Sequence, residues 1–590
     1  MQTRFPYRNE GDYGKIVHPV MPNKLECDVA VIGAGPNGLI TAGYLAKAGL
    51  KVILLERRGE IGGGLATEEI LYPCHYANTH AIYHLMVEYM PMYKDFDFKE
   101  RGLLWIYPNA QTGMLFKDRK SILLHRMAED TYDSILRWSL DDARTFYGWI
   151  KKIDKMMDEI LAPGTYVPPL PSLDLVVKTQ RTKLGQEFLE MMEKSPYDQV
   201  TQTFKNPKVR AVFLYAACMW GLDPTETGAF LFPLMINRAM HKQQCYGGSH
   251  KLASLFGKDV IMNGGLILEN AEVVKINVDG GKVSGVELWD GTQVKCKAVA
   301  STLDPHTTFI KLVGEKNIPA TLTERCNSWK PDKWSLWTMH IATEKPLVYD
   351  TEEPGINQSI MNIMGFENED DVMKFFTSVR AGKLDHIGGH ATCETLYDPT
   401  LVDIPGHHVS KFQFPAPYDL DGHKENWDKK KRDVEHKVLE LWLSHLKGFT
   451  RKDIIAHSSE SPVDIERRIP CMVHGGIKHG DYNILQMGNN RPDQSCSSTR
   501  TPVAGLYVCG ASTYPGGMVT GGPAYIASDA MVEDADFRHQ VRRHIHQRLT
   551  QQAQWPRCEE GGSVETSTRF SLPCTSHGHA PRGLTCYGAR

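Results

Sequence analysis

Three glycines set the chemistry in Gly33-Ala34-Gly35-Pro36-Asn37-Gly38, between the apolar run Cys27 to Ile32 and a helix-forming stretch, Leu39 to Ala48. A strand, a glycine turn and a helix start together aim backbone N–H groups at one point, where a phosphate can sit. The glycines act separately, since Gly33 makes the turn, Gly35 lets a pyrophosphate approach the backbone, and Gly38 lets the helix pack on the strand. A second apolar strand, Lys51 to Leu55, ends on Glu56, where an acid accepts hydrogen bonds from both ribose hydroxyls. The whole is the pattern of a dinucleotide site, with Pro36 and Asn37 completing its turn.

The residues that follow choose among dinucleotides. Arg57 leads into a second glycine cluster with Gly63, Gly64 and Leu65, where an NAD dehydrogenase would continue into another helix. FAD must stretch from the first turn to a distant isoalloxazine ring, and a second glycine loop gives it another close backbone approach. Much later, the short strand Gly505 to Gly510 runs into Tyr514-Pro515-Gly516-Gly517-Met518, and an apolar helix follows Pro523. Gly510, Gly517 and Met518 therefore join the candidate cofactor residues. Between these ends, Asp279-Gly280 and Asp290-Gly291 predict hairpins joining three strands, Glu272 to Val278, Val283 to Leu288 and Gln293 to Ala300. Val273 and Val274, opening that meander, are placed with the cofactor.

The elements that must position these residues predict an α/β fold: a Rossmann-type FAD domain assembled from separated segments, plus a mixed α+β substrate domain. The expected boundaries are an N-terminal extension at 1–26, FAD segments at 27–100, 246–315 and 496–536, substrate segments at 101–245 and 316–495, and a disordered tail at 537–590. The chain of 590 residues is long enough for two cores. Its 67 Lys plus Arg nearly balance 70 Asp plus Glu, so no overall field draws it to nucleic acid. Thirteen cysteines are too widely scattered for a C-x-x-C pair. With no second G-x-G-x-x-G, this argues against a disulfide reductase and fits a cytoplasmic or other reducing compartment. Met1 to Lys24 lacks the apolar core of a secretory signal. The apolar stretches 211–222 and 227–237 read as a buried helical pair, with a membrane-surface patch as the lesser reading.

These motifs resemble the phytoene desaturase-like branch of FAD-dependent oxidoreductases, which includes carotenoid desaturases, carotene ketolases and retinol saturases. The resemblance spans Cys27 to about Asp534 and rests on Val31 to Gly38, Glu56 to Glu69, Tyr246-Gly247-Gly248, the meander up to Pro305, Asp398-Pro399 and Gly505 to Ala527. It implies noncovalent FAD and a hydrophobic, isoprenoid or carotenoid-like substrate. The expected reaction is desaturation or oxidation by hydride transfer to flavin N5, with oxygen or a quinone as electron acceptor and peripheral membrane contact. Two departures stand near the flavin: Met518 where relatives often have a third glycine, and Ala524 after Gly522-Pro523.

Tyr514, beside the glycine loop, and His250, after Tyr246-Gly247-Gly248-Ser249, are the candidate catalytic residues. Each has a plainer reading, an aromatic packed under the cofactor and a helix histidine. His474 is a third, weaker candidate. His386 and His390 lack a cysteine or carboxylate at ligand spacing, so no metal site is expected. Phe213, Tyr215, Met219, Trp220, Phe230, Phe232 and Met235 either line an apolar tunnel or form ordinary core. The alternatives to an oxidising enzyme of this kind are a flavin amine oxidase, a non-redox flavin isomerase, and a flavin-bound interaction protein without turnover.

Overall fold

The structure is a computed structural model that describes residues 25–535. The expectations for 1–24, for the tail at 537–590 and for the histidines at 544, 546, 577 and 579 lie outside these residues. In chain order the elements used below are β1 (Leu25–Ile32), α1 (Pro36–Lys47), β2 (Val52–Leu55), β3 (Ala110–Leu115), β4 (Ser121–His125), α2 (Ser172–Thr179), α3 (Pro207–Cys218), α4 (Phe232–Met240), α5 (His250–Met262), β5 (Leu266–Leu268), β6 (Val273–Asp279), β7 (Lys282–Leu288), β8 (Gln293–Ser301), β9 (Ser335–Thr343), β10 (Met361–Met364), β11 (Gly389–Cys393), β12 (His408–Ala416), α6 (Asn426–Ser444), β13 (Ile454–Glu460), β14 (Leu506–Val508) and α7 (Gly522–Asp534).

Two seven-stranded sheets divide the work. The first runs β5-β2-β1-β8-β7-β6, with β14 sharing an edge of β8. Its β5, β2, β1, β8 and β14 pair in parallel, the Rossmann arrangement, whereas the Asp-Gly turns make β6, β7 and β8 an antiparallel meander. Strand β8 is the joint. Gly285 to Glu287 of β7 take its first half, and Leu506 to Val508 of β14 take its last residues, Val299 to Ser301. Three segments far apart in sequence thus close one sheet, an α/β fold of the kind the glycine motifs predicted.

The second sheet runs β13-β9-β12-β11-β10-β3-β4 and is antiparallel except where β10 meets β3. One face carries Trp337, Met339, Phe412 and Phe414, all fully buried, and Phe412 packs on Trp442 of α6 at 5.5 Å between ring centres. The apolar stretches around 211–237 become α3 and α4, buried along most of their length. Phe213 stacks on Phe204 at 4.9 Å, so this aromatic stripe is core and not a membrane patch, except for Trp220, which lines the cavity described below. Among the described residues no helix is long and apolar enough to cross a membrane. Exposed apolar side chains gather instead on α2, none of whose residues is buried: Leu173, Val176 and Val177 all face outward.

Helix α1 meets the sheet through one contact that only glycine permits. A Cβ at Gly38 would overlap the carbonyl oxygen of Gly33 and press the methyl of Thr302 at 3.3 Å. Gly38→Ala must therefore push α1 off the sheet. We expect a loss of about 1–3 kcal/mol of stability, measured as a lowered urea midpoint of the cofactor-free protein.

Candidate functional site

A cavity of about 560 Å³ opens between the two sheets. At one end the first glycine turn supplies Gly33, Gly35, Pro36 and Asn37, the second supplies Gly63 and Gly64, and the meander supplies Val273 and Val274. A Cβ on Gly63 would stand 3.0 Å from the Cα of Gly35, so the two turns form one cradle, backbone against backbone. Glu56 and Arg57 line the same end. The Ala34 N–H donates to Glu56 Oε2 and the Arg58 N–H to Glu56 Oε1, both at 2.8 Å. Each carboxylate oxygen keeps a lone pair for a ribose hydroxyl. Burial raises the Glu56 pKa, and the two backbone N–H groups oppose that rise. The third segment arrives as Ala511, Gly517, Met518 and Val519.

This donor set fits FAD. A cradle open at Gly35, with no atom within 4 Å of its missing Cβ, suits a pyrophosphate at the start of α1, and Glu56 suits a ribose. Cys471 also lines the cavity, but burial pushes its thiol up to about 12, so it offers no thiolate for a covalent bond to the cofactor.

Other predicted residues act from behind the wall. Leu65 is fully buried beneath the second turn. Gly510 abuts the Thr302 carbonyl so closely that a Cβ would overlap it. Neither they nor Gly38 faces the cavity. The two catalytic candidates are likewise not brought to it. The Tyr514 hydroxyl donates to the Gly164 carbonyl at 2.9 Å, and Tyr514 does not line the cavity. His250, fully buried at the start of α5, lies behind the Gly62 turn with Nδ1 3.4 Å from Glu60 Oε1. His474 stacks on Tyr418 at 4.2 Å, and His386 Nε2 bonds the Gly365 carbonyl at 2.6 Å. Among the described residues no three side chains group as metal ligands.

Of the other end of the cavity, the sequence offered only Trp220, one of the residues expected either to line a tunnel or to form core. Ile82, Tyr83, Leu85, Trp220, Leu336 and Met472 make much of that end apolar, and Arg58, Thr79, His80, Thr338, Gln413 and Arg468 interrupt it. A buried ionic network holds this wall. The Lys411 ammonium donates to three successive carbonyls, of Asn78 at 3.0 Å, Thr79 at 3.3 Å and His80 at 2.8 Å. Glu394 accepts from the Asn78 N–H and Nδ2 at 3.0 and 2.6 Å. Glu68 accepts from Thr79 Oγ1 at 2.8 Å and Arg58 Nη2 at 3.1 Å and pairs with Arg468, whose Nη1 reaches Glu460 at 3.2 Å. Burial pulls the Lys411 pKa down to about 8 against the attraction of Glu394 and Glu460, and pushes Glu460 up to about 7. Burial, then the Lys411 charge, holds His80 at about 3, neutral at any physiological pH.

Two sequence motifs meet beside this wall. Asp398 Oδ2 accepts from the Gly247 and Gly248 N–H groups at 2.7 and 3.1 Å, fixing a turn in which both glycines have positive φ.

Residues 37–315 match the family model described as flavin containing amine oxidoreductase. The chain is 37% identical over 526 residues to a limonene dehydrogenase subunit of Castellaniella defragrans, covering 86% of this chain and 95% of that one. It is 26% identical to the rat pyridine nucleotide-disulfide oxidoreductase domain-containing protein 2, over 87% of this chain and 94% of that one. Cyclohexylamine oxidase from Brevibacterium oxydans shares the fold with a TM-score of 0.55 at 14% identity, over 86% of this chain and 99% of that one.

Two outcomes follow from this geometry. Gly35→Ala, with open space at its Cβ, should leave the stability of the cofactor-free protein unchanged yet weaken FAD binding at least tenfold, read by flavin fluorescence titration. For Glu460, the folded carboxyl keeps its proton to about pH 7 whereas a carboxyl in the unfolded chain loses it near 4.5. The stability it contributes is present below pH 4.5 and lost as pH rises to 7, by no more than about 3 kcal/mol. Glu460→Gln should remove that component of the pH dependence, visible as a flatter Tm difference from wild type above pH 7 than below it.

Proposed function

Because the chain belongs to the flavin-containing amine oxidoreductase family, we propose that this FAD-dependent oxidoreductase is a dehydrogenase of a hydrophobic terpenoid. The observation that carries the reading is the distribution of charge along the cavity. Its lining acids, Glu56 and Glu272, come from the β2 and β6 ends that serve the adenosine half of the cofactor. The remaining wall is mostly apolar, with no carboxylate to receive an ammonium. That argues for a terpenoid over an amine. A cavity of about 560 Å³ that also receives the cofactor suits a small terpenoid better than a long carotenoid. The name of the bacterial relative supports the same choice.

When bound, the flavin supplies the acceptor for a hydride or its equivalent. The protein's part is to hold and to exclude. The glycine cradle takes the pyrophosphate, and Glu56 takes the ribose. Ile82, Leu85, Trp220 and Leu336 keep water from the substrate, and Lys411 fixes the wall that carries His80 to Tyr83. Oxygen or a quinone re-oxidises the cofactor in this reading. Contact with a lipid surface would be made through the exposed apolar residues of α2, which Lys178, Arg181 and Lys183 flank with positive charge, in a cytoplasmic or other reducing compartment.

The test is anaerobic mixing of the FAD-loaded protein with monoterpenoids and, separately, with amines of the same size. Bleaching of the flavin band by a terpenoid and by no amine is the expected result. Bleaching by amines alone would make it an amine oxidase, and an unreducible flavin would favour an isomerase or an interaction protein.

A further inference from the structure

One polar row crosses the apolar end of the cavity. Strand register places His390 of β11, Gln413 of β12 and Thr338 of β9 side by side, and Gln413 and Thr338 line the cavity. Gln413 Nε2 donates to Thr338 Oγ1 at 3.0 Å. That bond engages the hydroxyl as an acceptor, so its own proton is left to donate elsewhere. At the far end of the row, the Tyr215 hydroxyl lies 3.0 Å from Nδ1 of His390, which stands opposite Gln413 in the strand register.

His80 supplies a second polar group. Its ring lines the cavity, and Nε2 is buried with no hydrogen-bond partner among the described residues. The His80 carbonyl is tied to Lys411, two residues before Gln413 on β12 and so on the same face of the sheet. Burial keeps the ring neutral, so one nitrogen donates and the other accepts.

Resting on the terpenoid reading, we infer that Thr338 and His80 bind an oxygen atom of the substrate, whose class is an oxygenated terpenoid, an alcohol or a ketone. A hydrocarbon would leave the Thr338 proton and the His80 Nε2 without a partner, whereas one oxygen accepts the Thr338 proton and meets the imidazole. Gln413 is the positioning residue that fixes the direction of the Thr338 donor.

Calorimetric titration of the dithionite-reduced, FAD-loaded protein with limonene and with perillyl alcohol, one ring skeleton without and with a hydroxyl, isolates binding from turnover. The alcohol should bind about tenfold more tightly. Thr338→Val, which keeps the shape, and His80→Phe should each remove most of that preference while retaining FAD and binding limonene at least as tightly as the wild type. Equal affinities in the wild type, or a preference that survives Thr338→Val, would overturn the inference alone. A Thr338→Val protein with an altered flavin spectrum and an intact preference would assign the row to the cofactor and overturn it too. Binding of neither ligand would sink the terpenoid reading along with it.

Discussion

Everything in the cofactor half depends on backbone meeting backbone at Gly33, Gly38 and Gly63. Gly38 sits against the Gly33 carbonyl, and Gly63 against the Cα of Gly35. Any side chain at these points would separate α1 from β1 or the second turn from the first. The consequence is geometric: the start of α1, at Pro36 and Asn37, lines the cavity, and the Asn37 N–H has no partner within the helix. Sheet closure then follows from β8, one edge of which pairs with β1 while the other is shared by β7 and β14, so the strands before Gly33 and Gly510 flank it on opposite sides. Thr302, just after β8, is the common neighbour. Its N–H bonds the Ile32 carbonyl at 3.1 Å, and its backbone meets Gly510.

These features were legible because each is written in a few consecutive residues. A glycine spacing, an acid at a strand end and an Asp-Gly turn act through local backbone geometry. The substrate end, Trp220 apart, was illegible for the opposite reason. Lys411 acts on carbonyls more than three hundred residues earlier in the chain, and nothing near it in sequence distinguishes it from a solvated lysine. His80 and Arg58 are similar cases. Tyr514 shows the limit of reasoning by adjacency: it neighbours a cavity-lining loop, yet a distant carbonyl, Gly164, takes its hydroxyl and decides where the ring goes. Asp398 and the Gly247-Gly248 pair were visible as motifs, but that one bonds the other needed the fold.

The second sheet owes its use to the alternation of its strands. Trp337, Met339 and Ile341 of β9 point into the core, whereas Leu336 and Thr338 face the cavity and His340 continues that face. On β12, Phe412 and Phe414 alternate with Lys411 and Gln413 in the same way. Fully buried charge is not a route to stability, because desolvation consumes much of what the pairing returns. Here the charges carry geometric information. A hydrophobic residue in place of Lys411 could fill its volume but could not tie down three carbonyls of one extended segment.

The loop at Gly517 obeys the same logic with strain in place of charge. Met518 and Val519 both adopt positive φ, at 64° and 57°, a conformation glycine tolerates and a β-branched residue resists. Of order 1–3 kcal/mol for each is stored there. The anchors that offset it come from elsewhere. Tyr482 accepts from the Gly517 N–H at 3.0 Å, and buried Arg491 donates to the Ala511 carbonyl at 2.9 Å and the Lys478 carbonyl at 2.6 Å. A third glycine at position 518 would relax the turn but leave no side chain in the wall. Methionine keeps the turn strained and fills that part of the cavity, so the loop's local sequence alone would give the wrong expectation of its shape. Its path is set by the tertiary anchors, and the strain is the cost of putting an apolar side chain where the cofactor and substrate regions meet.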